Sequence, residues 1–331
     1  MSSTQAAEES PAPSGAAPDK DMVWIPAGSF EMGAQIPTYP DEGPIHTVTV
    51  SGFWMDKYPI TNKQFQKFVN ATDYVTFAEK PPKAEDYPDA DPDMLVPGSA
   101  VFIKPDRPVD PRSICWWQYV PGADWRHPDG PDSSVKQRWD HPVVHVVHED
   151  ALAYAAWAGK QLATEAQWEW AARGGLQGAI FAWGNEIKPN GTPMANIWQG
   201  QFPHQNLKSH PPGTEAIGGY PANGYGLYDI IGNVWEWTGD WYQERHPENP
   251  AKACCTPRDP KGGSESGSHD IKAPASEQKP RRVLKGGSFL CATNYCARYR
   301  PAARYPEAID TSTNHIGLRM IVLPLLDPTI S

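Results

Sequence analysis

The chain has 331 residues, with 39 acidic against 29 basic side chains and a formal net charge of -10. That balance argues against nucleic acid and anionic membrane surfaces as partners, because both require a basic face. Pro (36), Gly (28) and Trp (14) are all abundant, so long helices and central strands are excluded, and buried indoles or bound cations must help hold a loop-rich α+β domain.

Residues 1–20 are small, polar and Pro-rich, and read as a disordered leader without the charged-then-apolar pattern of a signal peptide. With no apolar run of spanning length, the cytoplasm is the expected location. One domain is expected over 21–328. MVWIPAGSFEMG and HTVTVSGFWMDKYPIT read as short strands. TNKQFQKFVNAT predicts a short helix, capped by Thr61 or Asn62 and burying Phe65, Phe68 and Val69. Residues 80–112 are Pro/Asp-rich and read as loop, and CWWQYVPGADWRHPDGPDS reads as irregular packing. EDALAYAAWAGK is a helix with Leu152, Ala155, Ala156 and Gly159 near one face. TEAQWEWAARGG is a second, with Thr164 and Gln167 spaced as a capping box and Gly174-Gly175 as its stop. Residues 180–247 read as short strands and turns, and 249–282 as a long exposed loop or lid. The ends of VLKGGSFLCATNYCARYRPAAR and HIGLRMIVLP read as strands returning to the core.

The five cysteines are Cys115, Cys254, Cys255, Cys291 and Cys296, too few for a disulfide scaffold. Cys254 and Cys255 are adjacent, and free thiols are the default there. Cys291 and Cys296 enclose ATNY, with no second pair at zinc-ribbon spacing. Two thiolates with few other ligands suit Cu(I), and Arg298, Arg300 and Arg304 would favour the thiolate form. Two buried inert thiols or a disulfide remain open on spacing alone. His141, His145 and His148 read as core or surface histidines rather than metal ligands. NGYGLYDIIGNVWEW reads either as an aromatic core turn or as a hard-cation loop around Asp229.

MVWIPAGSFEMG, HTVTVSGFWMDKYPITNKQF, ADWRHPDGPDS, ATEAQWEWAARGG, FAWGN, MANIWQGQFP, NGYGLYDIIGNVWEWTGDW, LKGGSFLCATNYCARYRPAAR and HIGLRM occur in order over nearly the whole chain. In this the chain resembles the formylglycine-generating enzymes, the sulfatase-modifying factors. The most specific block is G-G-S-F-L-C-x4-C-x-R-Y-R-x-A-A-R, which includes both cysteines. The resemblance implies a single, C-type-lectin-like domain and a copper-dependent oxidase. Such an oxidase uses O2 and a thiol reductant to convert the cysteine of a C-x-P-x-R segment, in an unfolded sulfatase, to Cα-formylglycine. It implies that Cys291 and Cys296 hold Cu(I), that Ser288 and Trp235 shape the oxygen pocket, and that Arg304 and Asn314 line the substrate groove.

The resemblance also implies structural Ca²⁺ at Asp229 with the carbonyls of Ile230, Gly232 and Val234. A second calcium would use Asn196 and Ile197 with an acidic residue in the next loop, but HQNLKSHPPGTE is shorter and lacks the matching Asp. Ala163 and Gln167 depart from the usual P-T-E-A-E-W-E motif. Two other readings stay open: a non-catalytic peptide-binding module of the same fold, and an oxidase of that fold with a different substrate. The iron-dependent kind would require an added His-rich helical domain. A monomer is expected, since nothing suggests a large apolar interface.

Overall fold

The computed structural model describes residues 17–248, 256–274 and 278–324. In chain order its elements are β1 (Met22–Ile25), β2 (Gly28–Met32), β3 (His46–Val50), β4 (Phe53–Asp56), α1 (Asn62–Thr72), β5 (Gly98–Phe102), β6 (Trp117–Pro121), α2 (His148–Ala158), β7 (Gln161–Leu162), α3 (Glu165–Arg173), β8 (Trp235–Trp241), β9 (Arg281–Lys285), β10 (Arg304–Ala308), β11 (Ile316–Gly317) and β12 (Met320–Val322). They form two four-stranded sheets, ordered β1-β4-β12-β7 and β10-β9-β8-β11, and the hairpins β2-β3 and β5-β6. The architecture is α+β, with most of the chain in turns and loops. Among the described residues no helix is long and apolar enough to cross a membrane.

The helices start where local chemistry dictates. Thr61 Oγ1 accepts from Gln64 N while Gln64 Oε1 accepts from Thr61 N, and Thr164 and Gln167 repeat the arrangement at α3. Gln167 therefore serves the cap as well as a glutamate would. Phe65, Phe68 and Val69 are buried as expected, and α3 ends on Gly174 in the left-handed region. The face of α2 differs from the expectation. Leu152 and Ala156 are exposed, while Ala151, Tyr154 and Ala155 are buried. An Ala-rich helix carries little contrast between faces, and Tyr154 decides the matter by packing on Phe65 and Phe68.

Two further expectations are corrected. The loop expected at 80–112 contains β5, and the irregular segment after it contains β6, paired Gly98↔Pro121 through Phe102↔Trp117. The described residues of 249–282 are mostly exposed or half-exposed as far as β9 at Arg281, and they are tied to the body: Thr49 N donates to Pro257 O (2.9 Å) and Ser51 donates twice to the Asp259 carboxylate (2.7 and 2.6 Å). Cys254 and Cys255 lie outside the described residues.

Indoles hold the interior as anticipated, though not all of them are satisfied. Trp168, Trp170 and Trp237 donate to Glu236 Oε2, Pro26 O and Val146 O at 2.7–2.9 Å. The buried N–H groups of Trp125 and Trp198 find no acceptor among the described residues. Cations contribute too, and they are the protein's own: Arg173 and Lys285 on Glu169, Arg300 on Glu42, Arg304 on Glu165 and Arg319 on Glu236. A second, smaller apolar cluster of Phe102, Trp116, Trp198, Phe202, Phe289, Leu290 and Ala292 backs the site described next.

Candidate active site

β9 runs into Gly286 and Gly287, both at positive φ (+96° and +74°). A Cβ on Gly287 would stand 3.1 Å from Arg298 O and 3.2 Å from Cys291 Sγ. Only glycine lets the backbone turn there while the sulfur passes so close. Cys291 N then donates to Ser288 O (3.0 Å), and the loop brings Cys291 Sγ to 3.6 Å from Cys296 Sγ. Both thiols are free, at a separation far beyond a disulfide bond of about 2.05 Å. Cys291 is 2% exposed, and Cys296 is half-buried and closer to solvent.

The two thiols are shifted in opposite directions. Burial, and the loss of its proton from a bond donated to Cys296, push the Cys291 thiol well above its ordinary range. The bond from Cys291 lowers Cys296; burial opposes this, and the charges of Arg298 and Arg300 reinforce it. Of the two, Cys296 is therefore the sulfur that ionises first, with Cys291 holding its proton longer. Ser288 N–H also points at Cys291 Sγ (3.4 Å). Of the three arginines expected to favour thiolates, Arg298 and Arg300 do so. Arg304 does not, because its charge is spent on Glu165.

Both sulfurs open into a cavity of about 390 Å³, whose lining includes Trp116, Phe202, Trp235, Ser288, Tyr295, Tyr305, Glu307 and His315. Trp235 and Ser288 line the same cavity as the two cysteines. Phe202 stacks on Tyr295 (4.4 Å, 13°), and Trp116 meets Tyr295 edge-on. His315 Nδ1 lies 3.2 Å from Ser288 Oγ, and burial pushes the imidazole down to about 3, so it is neutral. Glu307 is the only carboxylate among the described lining residues, and burial raises it to about 7.

Arg304 and Asn314, expected on the groove, do not line the cavity. Arg304 is 1% exposed and forks onto Glu165 through Nε and Nη2, both at 2.8 Å. Asn314 is buried, and its Oδ1 accepts from Phe102 N (3.1 Å), while its neighbours Thr313 and His315 face the cavity. Sequence reasoning missed Trp116, Phe202, Tyr295, Tyr305, Glu307 and His315. The aromatic density of CWWQY was the one available signal. His145 and His148 are buried and hydrogen-bonded to Ser99, Pro128 and Thr238, and His141 to Thr214, as satisfied histidines should be.

The two calcium expectations part company. Asp229, at φ +49°, is 6% exposed and accepts one backbone bond, from Gly218 N (2.6 Å). It makes no ion pair among the described residues, and burial raises its pKa. A buried carboxylate without a counter-ion, in a loop whose residues Gly232 and Asn233 are also left-handed, fits a hard cation taking carbonyl oxygens. The second site does not fit. Asn196 Oδ1 already accepts a bond from the Lys208 ammonium, which also sits 2.6 Å from Glu215 Oε1, and Ile197 is buried beside it.

For the thiol pair, no cluster of three or more His, Cys, Asp or Glu side chains is found among the described residues. Two soft donors without a hard partner fit a two-coordinate Cu(I) better than zinc.

The model of the sulfatase-modifying factor enzyme 1-like domain matches residues 7–323. The chain is 49% identical over 309 residues to the formylglycine-generating enzyme of Mycobacterium tuberculosis, covering 92% of this chain and 98% of that one. It is also 42% identical over 304 residues to the inactive C-alpha-formylglycine-generating enzyme 2 of Bos taurus, covering 90% and 87% respectively. Among solved structures, PvdO from Pseudomonas aeruginosa shares the fold with a TM-score of 0.58 at 21% identity, over 92% of this chain and 96% of its own. The chain belongs to the sulfatase-modifying factor enzyme 1-like family.

Proposed function

We propose that the protein oxidises the cysteine of a C-x-P-x-R segment in an unfolded sulfatase to Cα-formylglycine, with Cu(I) held by Cys291 and Cys296. The observation that carries this reading is the pair of free thiols, 3.6 Å apart, at an aromatic cavity in a chain of this family. The overall change balances when one O2 and two reductant thiols meet one substrate CH2–SH. The products are the aldehyde, H2S, water and one disulfide. Bound Cu(I) would supply an open position for the substrate thiolate and a route for reducing O2.

The chain's own residues prepare the site. Cys296 is the more readily ionised of the two sulfurs, and Ser288 N–H steadies Cys291. Trp235 and the neighbouring rings exclude water, while neutral His315 with Ser288 Oγ leaves one polar edge. Trp116, Phe202 and Tyr295 suit an extended peptide whose side chains enter apolar pockets. Glu307 is the natural partner for the arginine of the motif, whose charge would hold that carboxyl ionised. Asp229, with the carbonyls of Ile230, Gly232 and Val234, would hold one structural Ca²⁺.

Mass spectrometry of a C-x-P-x-R peptide incubated with copper-loaded protein, O2 and a reducing thiol tests the reading. Replacement of the thiol by an aldehyde is expected, and is lost in Cys291→Ser and Cys296→Ser together with Cu(I) binding. Conversion that survives either substitution refutes it. The inactive relative at 42% identity favours one second reading, a peptide-binding module; it requires peptide binding without O2 consumption after copper loading.

A further inference from the structure

We infer that the Lys208 ammonium is a built-in replacement for a second structural cation, closing the loop 196–215 without a divalent metal. The side chain of Lys208 is 9% exposed, and its Nζ donates to Asn196 Oδ1 and to Glu215 Oε1 at 2.6 Å. The groups around it are organised as ligands of a cation would be. Glu215 Oε2 accepts from Tyr220 Oη (2.8 Å), and His210 Nε2 lies 3.2 Å from Oε1. Asn196 Nδ2 donates to Gly213 O and to Asn233 Oδ1, both at 3.1 Å, so its Oδ1 is turned toward Lys208. Asn233 completes the frame, accepting from Glu215 N (2.9 Å) and donating to Glu215 O (3.1 Å).

Ca²⁺ needs six to eight oxygens at about 2.3–2.6 Å. The side chains that meet Lys208 offer one carboxylate and one amide oxygen, both turned to its ammonium, while Asn233 Oδ1 and the carbonyls of Gly213 and Glu215 already accept from N–H donors. One positive charge against one carboxylate is neutral, whereas a divalent ion beside Lys208 would face a like charge in a low-dielectric pocket. The peg also bears on the cysteine loop. Asn233 N donates to Asn196 O (2.8 Å), Phe289 N to Asn233 O (3.1 Å), and Trp198 N to Cys291 O (3.0 Å). Lys208 therefore fixes the strip of backbone on which Cys291 rests. None of this depends on the oxidase reading.

The test counts calcium by equilibrium dialysis and elemental analysis, and follows thermal melting with EDTA or with added Ca²⁺. Wild type is expected to bind at most one Ca²⁺ per chain, lost in Asp229→Asn and retained in Glu215→Gln. Lys208→Ala should melt at least about 5 °C lower in EDTA. It should recover part of that loss with added Ca²⁺ while binding one additional ion. The recovery should vanish in Lys208→Ala/Glu215→Gln. Should Lys208→Ala fail to fold, Lys208→Gln is measured in the same way. Three results overturn the inference: a second calcium in wild type that Glu215→Gln removes, a Lys208→Ala variant that melts like wild type in EDTA, or a destabilised variant indifferent to Ca²⁺. In the last case Lys208 would be an ordinary buried ion pair.

Discussion

Replacing Arg304 with methionine separates a residue of the substrate groove from a residue of the core. In wild type the guanidinium forks onto Glu165 at 2.8 Å through two N–H groups, and its Nη1 donates to Asp41 O and Gln243 O. Methionine removes all four bonds and leaves Glu165 buried, with Lys285 at 3.6 Å as its remaining cation, already engaged by Glu169 at 3.1 Å. Breaking a buried pair from one side costs about 3–5 kcal/mol, a large share of the roughly 5–15 kcal/mol that holds a domain together. Urea denaturation should show that loss as a lower midpoint with an unchanged slope. Arg304→Met/Glu165→Leu should regain much of it, because no charge is then stranded. Peptide KM, measured well below the new melting temperature, should change little. A single variant with the wild-type midpoint and a tenfold higher KM would refute the assignment and return Arg304 to the groove.

Gly287→Ala should cost about 1–2 kcal/mol for the left-handed backbone alone. It should also alter the reactivity of Cys296 toward a thiol reagent, since the new Cβ meets Cys291 Sγ at 3.2 Å; unchanged reactivity and stability would contradict the geometry. Burial holds His145 down to about 4 and His148 down to about 3. Below pH 6.5 the unfolded chain binds protons that the folded chain refuses, so this stability is full above 6.5 and lost as pH falls toward 4. For His145 the loss reaches about 3 kcal/mol. Glu307, raised to about 7, slopes the other way between about 4.5 and 7. His145→Asn, which tolerates φ +60°, should flatten the acid limb of a stability-versus-pH curve. Glu307→Gln should weaken arginine-containing peptides and leave their arginine-to-citrulline counterparts unaffected, read as a KM ratio near one.

What could be read from the sequence was what local chemistry decides. The caps at Thr61 and Thr164 are complete within four residues, so α1 and α3 were legible. The β5-β6 hairpin was not. Gly98 and Ser99 give no alternation, and the strand forms only because it finds residues 117–121 across a long loop. The thiol pair was legible because both cysteines lie in one short block. Most of its cavity was not, because Trp116, Phe202 and His315 arrive from three separate segments. Arg304 shows the limit most sharply. On β10 successive side chains face opposite ways, Tyr305 to the cavity and Arg304 to the interior. A phase of one residue separates a groove residue from a core residue, and that phase is set by pairing with Lys285 on β9.

The cysteine loop itself lies between β9 and β10, where no ladder holds the backbone. Charge does that work from the segment 39–42. Ala297 N donates to Tyr39 Oη (3.0 Å), Arg298 pairs with Asp41 at 2.7 Å, and Arg300 forks onto Glu42 with both bonds at 2.7 Å. The Arg298 and Arg300 guanidinium groups also lie over the Tyr39 ring, at 4.6 and 5.3 Å. Arginines that looked, in sequence, like free cations for the thiolates are therefore already paired, and they act on Cys296 only through what their carboxylates leave uncompensated. The two sulfurs therefore shift in opposite directions: the bond from Cys291 and the charges of Arg298 and Arg300 lower Cys296, while burial raises Cys291, enclosed by Gly287 and Ser288. A soft cation entering the site would have to displace the protons the two sulfurs still hold, and so its binding should release protons and weaken as pH falls.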